Sequence, residues 1–340
     1  MSLVLSVLTT PLAIKLGLKF SLIDKPDPRK VHTKIMPRSG GISVFLTFCF
    51  TYLFMEYMYD PTTNPIFIHL LICCALIFSL GLMDDRFNLS AKKKFIVQIL
   101  IATYFAINVH SIEFINLPFV EEHLQLGILA VPFTVLWIVG ITNAFNLIDG
   151  LDGLASGVAA ISSLTFFIVS LSIGNTLVAF LSLMLSGTLF GFLFFNSHPA
   201  KIFLGDSGSL FIGFFMAALS VLELKQVAVT SFITPILIFF IPISDTLYAM
   251  VRRKLKKQPI FQPDKFHLHH CLLQMGFSHR VTVWIIYSFC LFLAIGAFLS
   301  TKLVLEFSIF ILVFYLVFFQ LIARRIGMFP TNRRIKNENN

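Results

Sequence analysis

Ile66-Phe-Ile-His-Leu-Leu-Ile-Cys-Cys-Ala-Leu-Ile-Phe-Ser-Leu-Gly-Leu-Met-Asp84-Asp85-Arg86 decides the fold class. A helix needs roughly 20 mostly apolar residues to cross a bilayer core, and this run supplies them. It then ends in two adjacent carboxylates and an arginine. Charge is costly in a bilayer, so carboxylates at the rim of an apolar span point to function rather than packing.

The rest of the chain reads the same way. Of 340 residues, 57% are hydrophobic and 13% charged, and 40 are Phe. The mean hydropathy of +0.87 excludes an ordinary soluble domain and places the chain among polytopic membrane proteins. The net charge of +9 does not indicate nucleic-acid binding, because the basic residues sit in short loops between apolar runs. Cys49, Cys73, Cys74, Cys271 and Cys290 form no C-x-x-C and mostly lie inside apolar runs. They read as small buried hydrophobes, with no disulfide framework.

Apolar spans are expected near 2–20, 41–59, 66–83, 95–110, 125–142, 154–173, 176–195, 208–223, 230–251, 281–299 and 303–323. The expected fold is an all-α polytopic membrane protein of about 11 helices, with ten as the alternative count. The first span is the weakest: it carries Pro11 and has almost nothing before it, so a start a few residues upstream is an alternative. It lacks a basic leader and an A-x-A site, and reads as a retained helix rather than a cleaved signal. Residues 1–324 form one transmembrane catalytic domain, and 325–340 a polar tail.

Loops 19–40, 84–94, 196–207, 252–280 and the tail from 324 hold 23 of the 26 lysines and arginines. The positive-inside rule makes those loops cytoplasmic, the N-terminus outside and the C-terminus inside. The opposite loops carry Glu113, Glu121 and Glu122.

Every polar motif then falls on the cytoplasmic face. Asp84 and Asp85 repel unless a cation or a shared proton relieves them, and one of them is a candidate general base; a solvated helix end is the plainer reading. Lys94 closes the run Lys92-Lys93-Lys94, a topology anchor or a holder of lipid phosphate. In Asn143-Ala-Phe-Asn146-Leu-Ile-Asp149-Gly-Leu-Asp152-Gly-Leu-Ala-Ser-Gly157 the polar residues recur every third position, on one broad helical face. Its glycines favour a broken helix lining a polar cavity, against a capped interfacial turn.

Phe203-Leu-Gly205-Asp206-Ser-Gly puts a carboxylate at a helix N-terminus, where backbone N–H groups also meet phosphate. A serine-nucleophile reading lacks any triad context. In Asp264-Lys-Phe-His267-Leu-His269-His270-Cys271 the donors are too crowded for zinc, and the histidines read as hydrogen-bond donors to a diphosphate. Lys34 and Arg38 sit in a Pro- and Gly-stiffened basic loop suited to anionic lipid or nucleotide phosphate. Converging carboxylates on one face suggest a divalent metal and a phosphorylated substrate.

Asp84-Asp85 with Lys94 and Gln98, the Asn-Leu-Ile-Asp-Gly-Leu-Asp-Gly-Leu-Ala stretch, Phe-Leu-Gly-Asp-Ser-Gly-Ser and His-Leu-His-His resemble, in order, the motifs of the polyprenyl-phosphate N-acetylhexosamine-1-phosphate transferases. That superfamily, also called glycosyltransferase 4, includes the MraY, WecA and TagO types. The resemblance runs from about residue 24 to 280. The Phe266-His-Leu-His-His loop looks like the WecA/TagO branch, which uses UDP-N-acetylglucosamine (UDP-GlcNAc).

The resemblance implies an enzyme of the bacterial cytoplasmic membrane that transfers GlcNAc-1-phosphate from UDP-GlcNAc to undecaprenyl phosphate, releasing UMP. That is the first membrane step of a cell-envelope polysaccharide of O-antigen, common-antigen or teichoic-acid type. Another UDP-N-acetylhexosamine or UDP-MurNAc-pentapeptide is the alternative donor. It implies Mg²⁺, with Mn²⁺ as substitute, on Asp206 with Asn146 and Asp149, and a homodimer as a further option. Asp84 or Asp85 would orient or deprotonate the lipid phosphate beside Lys94. Asn146, Asp149 and Asp152 would bind the nucleotide, Asn196 and Phe203 the uridine, and His267, His269 and His270 the diphosphate and sugar. A covalent phospho-enzyme is the chemical alternative to direct displacement.

Two other enzyme classes fit less well. An intramembrane prenyltransferase needs a second D-x-x-x-D, and a CDP-alcohol phosphatidyltransferase needs an Arg after Ala155. A transporter would gather ionisable residues at mid-membrane, whereas Glu56, Glu223, Asp245 and Glu306 form no evident set in the sequence.

Overall fold

The computed structural model describes residues 1–24, 35–59, 65–115, 124–226, 232–256 and 266–328. Lys34, Asp264, Lys265, Glu121, Glu122 and the tail from 329 lie outside them. Among the described residues the fold is helical apart from two short antiparallel pairs, β1 (Ile23–Asp24) with β2 (Met36–Pro37) and β3 (Phe114–Ile115) with β4 (Leu124–Gln125). The helices are α1 (Ser2–Lys19), α2 (Gly40–Tyr59), α3 (Pro65–Phe87), α4 (Ala91–Asn108), α5 (Ala130–Leu147), α6 (Leu154–Ile173), α7 (Thr176–Asn196), α8 (Gly205–Gln226), α9 (Ile233–Ile238), α10 (Phe240–Leu255), α11 (Leu268–Gln274), α12 (His279–Ser300) and α13 (Leu305–Arg325).

Among the described residues, eight helices are long and apolar enough to cross a membrane. The expected list is corrected in three places. The span expected at 230–251 is two helices broken at Phe239. Pro242 lacks the N–H that would bond back to Ile238, so a continuous helix loses a rung there. The fourth helix starts at Ala91, so Lys92–Lys94 form its first turn rather than a preceding loop. The eighth starts at Gly205, which puts Asp206 in a helical first turn.

Helix α8 is the axis of the bundle. Its sequence is apolar on all sides, and 94% of its spanning window is buried, against 17% for the peripheral α13. Helices α2, α3, α5, α6 and α7 pack around it. Trp137 of α5 donates to the buried Ser220 of α8 at 2.9 Å. At the end away from Asp206, Glu223 accepts from Ser170 and Asn175, both at 2.9 Å, and ties α8 to the α6–α7 turn.

The weak first span is held by small and hydroxylic residues. Ser2, Ser6, Thr10, Ala13 and Gly17 form its buried stripe, which lies against α7 and α2. Small side chains let helix backbones approach where no water drives association. Thr10 Oγ1 meets Ser43 Oγ at 2.8 Å, and Thr9 Oγ1 meets Thr47 Oγ1 at 2.7 Å. Thr10 also donates to the Ser6 carbonyl at 2.7 Å, one turn before Pro11.

Successive helices run up and down, so a fixed set of ends meets on one side. The C-terminal ends of α1 and α3 are joined there by Arg86 donating to the Phe20 carbonyl at 3.0 Å. The start of α8 is at that end too, through Asp85 of α3. Ser6 is fully buried against α7, and its hydroxyl has no hydrogen-bond partner. Ser6→Leu should therefore destabilise the fold by about 1–3 kcal/mol through overpacking, whereas Ser6→Ala should be near neutral. Melting temperatures in detergent check both.

Candidate active site

The site begins with a helix end that cannot cap itself. The first amides of α8 have no intrahelical partners. Asp85 reaches across from α3 and takes two of them: Oδ1 accepts from Asp206 N at 2.8 Å and Oδ2 from Ser207 N at 2.9 Å. Gly205 makes this approach feasible. Its φ is +75°, and a Cβ there would lie 2.7 Å from Asp85 Oδ2.

Asp206 is thereby aimed at a ring of partners. Asn146, in the last turn of α5, donates to Asp206 Oδ1 at 2.6 Å and to Ser209 Oγ at 2.8 Å. Arg38, just after β2, stands 3.5 Å from both Asp206 Oδ2 and Asp85 Oδ1. Asp84 lies within hydrogen-bonding reach of Asp206. Its Oδ2 pairs with Lys94 Nζ at 2.5 Å and its Oδ1 accepts from Leu89 N at 2.7 Å. Gln98, one turn beyond Lys94, accepts from Asn143 at 2.7 Å.

Asp149 follows α5 in a turn. Burial pushes its carboxyl up to about 8, the negative charge of Asp206 adds to this, and Arg38 opposes it. Ionising Asp149 at neutral pH therefore calls for added positive charge nearby. Asp206 and Asp149 are oxygen donors of the kind a hard divalent cation takes. As placed, Asn146 turns its amide N–H toward Asp206, so it orients that carboxylate rather than offering an oxygen.

The histidine loop packs against the same turn. His269 Nε2 would stand 2.5 Å from a Cβ on Gly150. His267 Nδ1 pairs with Asp245 Oδ2 at 2.8 Å, and Leu268 N donates to Asp245 Oδ1 at 2.7 Å. Asp245 is 1% exposed. It is therefore not an isolated mid-span charge: it fastens the start of α11 and fixes the His267 ring. Sequence reading missed this partner. The signal was the cost of an aspartate inside an apolar stretch, which asks for a named partner. The His269 and His270 rings lie 4.2 Å apart.

Other expected site residues are held in place by contacts within the neighbouring loops. Asn196 is buried; its Oδ1 accepts from Ser156 at 2.5 Å and its Nδ2 donates to the Ile202 carbonyl at 2.9 Å. Phe203 is half-buried, and its backbone joins the two loops: Phe203 N donates to Pro37 O at 2.8 Å and Gly40 N to Phe203 O at 3.0 Å. Asp152 accepts from His198 Nδ1 at 2.8 Å and Ala200 N at 3.2 Å.

Arg38, Asp84, Asp85, Lys94, Asn146, Asp149 and Asp206 thus form one cluster, drawn from five segments of chain. Residues 67–223 match the model of glycosyl transferase family 4. A Bacillus subtilis protein named probable undecaprenyl-phosphate N-acetylglucosaminyl 1-phosphate transferase is 42% identical over 328 residues, covering 96% of this chain and 90% of the relative. The chain belongs to glycosyl transferase family 4. The Mycobacterium tuberculosis decaprenyl-phosphate N-acetylglucosaminephosphotransferase is 34% identical, over 83% of this chain and 76% of the relative. A Salmonella typhi undecaprenyl-phosphate alpha-N-acetylglucosaminyl 1-phosphate transferase is 32% identical, over 79% and 74%. The matched region of this family member carries Asp84, Asp85, Lys94 and the Asn146–Asp206 half of the cluster.

Burial, followed by the neighbouring His270 charge, pulls the His269 imidazole down to about 3. Unfolded, it would titrate near 6.5. Between these values the unfolded chain binds a proton that the folded chain refuses, so stability falls as pH drops. Acidification from pH 7 to 5 should remove about 2 kcal/mol through this residue. The fall in melting temperature over that interval should be smaller in His269→Gln than in the wild type.

Proposed function

We propose that the protein transfers GlcNAc-1-phosphate from UDP-GlcNAc to undecaprenyl phosphate, giving undecaprenyl-diphosphate-GlcNAc and UMP, at the cytoplasmic face of a bacterial cytoplasmic membrane. The observation that carries this is the single cluster in which Asp84, Asp149 and Asp206 face Arg38 and Lys94 at one end of a membrane bundle. Two anionic substrates, one lipid and one soluble, must meet at such a place. The relatives' names supply the sugar and the polyprenyl acceptor class. Among the described residues, the end that holds the cluster also holds Lys19, Arg38, Arg86, Lys92 to Lys94 and Arg252 to Lys254, which supports a cytoplasmic site and an external N-terminus. Counting α2, α4 and the broken α9–α10 pair with the eight apolar helices gives eleven passes, the number that puts the two termini on opposite sides.

In the reaction a lipid phosphate oxygen attacks the β-phosphorus of UDP-GlcNAc. A new P–O–P bond forms, the bond from the β-phosphorus to the bridging oxygen breaks, and UMP leaves with that electron pair. Asp206 and Asp149 would hold Mg²⁺, or Mn²⁺ in its place, whose charge neutralises the diphosphate. Arg38, beside Asp206, would meet that diphosphate, and Lys94 with Asp84 would receive the lipid phosphate. Asp152, with the loops fixed by Asn196 and Phe203, bounds the nucleoside side. His267, His269 and His270 meet the sugar diphosphate from the α11 side.

The carboxylate contacts favour direct displacement. Both Asp85 oxygens are committed to α8 amides, and both Asp84 oxygens to Leu89 N and Lys94. A covalent phospho-enzyme on Asp84 or Asp85 would need one of these oxygens freed. Displacement needs positioning and charge neutralisation alone.

A radiolabel assay on detergent-purified protein tests the proposal, with undecaprenyl phosphate, Mg²⁺ and UDP-GlcNAc, UDP-GalNAc or UDP-MurNAc-pentapeptide in parallel. Label should enter the lipid from UDP-GlcNAc, with UMP released. Asp206→Asn should lower kcat by about 10²–10³-fold, the usual effect of losing a preorganised charge partner. Asp245→Asn should lower it by about 10–100-fold with KM little changed, as for other supporting residues. Release of UDP, or no transfer from any donor, would overturn the reading.

A further inference from the structure

One group of metal-ligating side chains lies beside the transferase cluster and shares only Asp152 with the nucleoside side of the proposed site. Asp152 lies in the turn between α5 and α6, His198 in the connection after α7, and His279 is the first residue of α12. Their ligand atoms all lie within 4.8 Å of one another, the only such trio among the described residues.

The arrangement is built, and it is incomplete. Asp152 Oδ2 meets His198 Nδ1 at 2.8 Å, and Ala200 N holds the same oxygen at 3.2 Å. The His198 and His279 rings stack with centroids 4.2 Å apart and an interplanar angle of 23°. His279 Nε2 is enclosed and has no hydrogen-bond partner by distance and angle, while the ring as a whole faces the Asp152 backbone carbonyl. An enclosed ring nitrogen without a partner loses its hydration for nothing in return. Each donor also rides on a fixed element. The Tyr287 hydroxyl donates to the Gly153 carbonyl and seats α12 on the Asp152 turn. Asn196 and Ser156 fix the end of α7 two residues before His198.

A hydrogen-bonded Asp–His pair would account for Asp152 and His198 alone. It leaves the His279 nitrogen and the face-to-face imidazoles unexplained. Two imidazoles and one carboxylate make a donor set for zinc, cobalt or nickel, whereas Mg²⁺ prefers oxygen alone. The Asp206–Asp149 pair and this trio therefore differ in the ions they take.

We propose that Asp152, His198 and His279 bind one divalent transition ion of the zinc–cobalt–nickel class, at a site separate from that of Mg²⁺. The site does not depend on the transferase reading. If that reading holds, a bound ion draws the Asp152 carboxylate away from the nucleotide side, so zinc and donor compete.

The test uses full-length protein in detergent, stripped with chelator and kept in excess Mg²⁺. Zinc is measured by equilibrium dialysis with elemental analysis, and Co²⁺ by its visible absorption. One zinc per chain is expected, with X-ray absorption showing two imidazole ligands. His198→Gln and His279→Gln should each weaken binding by more than about 100-fold, beyond the usual effect of a supporting residue. His198 is the safer variant, since its side chain is 36% exposed, and its melting temperature verifies folding. Asp206→Asn and His270→Gln should bind zinc like the wild type. No saturable zinc binding, binding that survives both histidine variants, or binding lost in His270→Gln would each overturn the site. Zinc should also raise the apparent KM for UDP-GlcNAc without lowering kcat. Stoichiometric binding without that rise would keep the site and overturn the nucleotide role of Asp152.

Discussion

The arrangement turns on one carboxylate from α3 that caps a helix to which it does not belong. Asp85 accepts the first amides of α8, so α3 and α8 cannot slide past each other without stranding two donors and a buried charge. In a low-dielectric setting that penalty is large, which makes the contact a register pin between two spans. Asp206 sits on one of those two amides, so its direction is set by Asp85. The Asn146, Arg38 and Asp84 contacts then follow from where that first turn lies.

The bundle around this pin uses two kinds of adhesion. The central α8 is covered by close apolar packing from five neighbours, with stacked and edge-on phenylalanines such as Phe45–Phe78 and Phe48–Phe215 between elements. The outer α1 has few large buried side chains and relies on hydroxyl contacts with α2 and small residues facing α7. Lipid is as apolar as leucine, so packing and polar contacts, rather than exclusion from water, decide which helices touch. This explains how a span with a proline and little hydrophobic bulk keeps its place.

The two basic side chains of the site differ in what they can do. Lys94 is a point charge on the first turn of α4, paired with Asp84. Arg38 sets one nitrogen, Nη2, of its planar guanidinium between Asp85 and Asp206, and a guanidinium is the group suited to an incoming diphosphate. The acidic residues likewise divide into those held by backbone amides and those held by other charges. That division separates Asp85, whose oxygens cap α8, from Asp206 and Asp149, the carboxylates proposed to take a cation.

Much of this was legible in the order of residues. Long apolar runs specify membrane helices, because the backbone must satisfy itself inside a bilayer. Basic loops and carboxylates at span edges specify one polar face, because charge is expelled from the apolar core. The motifs from Asp84 to Asp206 therefore pointed to an all-α membrane bundle and to residues that the fold gathers at one end of it. What the sequence left open depends on contacts between segments far apart in the chain. It offered Asp84 and Asp85 as equivalent, and only the meeting of α3 with α4 and α8 assigned one to Lys94 and the other to the first amides of α8. It counted Asp245 as a lone charge and gave no place to His279, because their partners stand 22 and 127 positions away, at His267 and Asp152. Local spacing reports which face of a helix a residue occupies. Only the packing of one helix on another decides what stands opposite it.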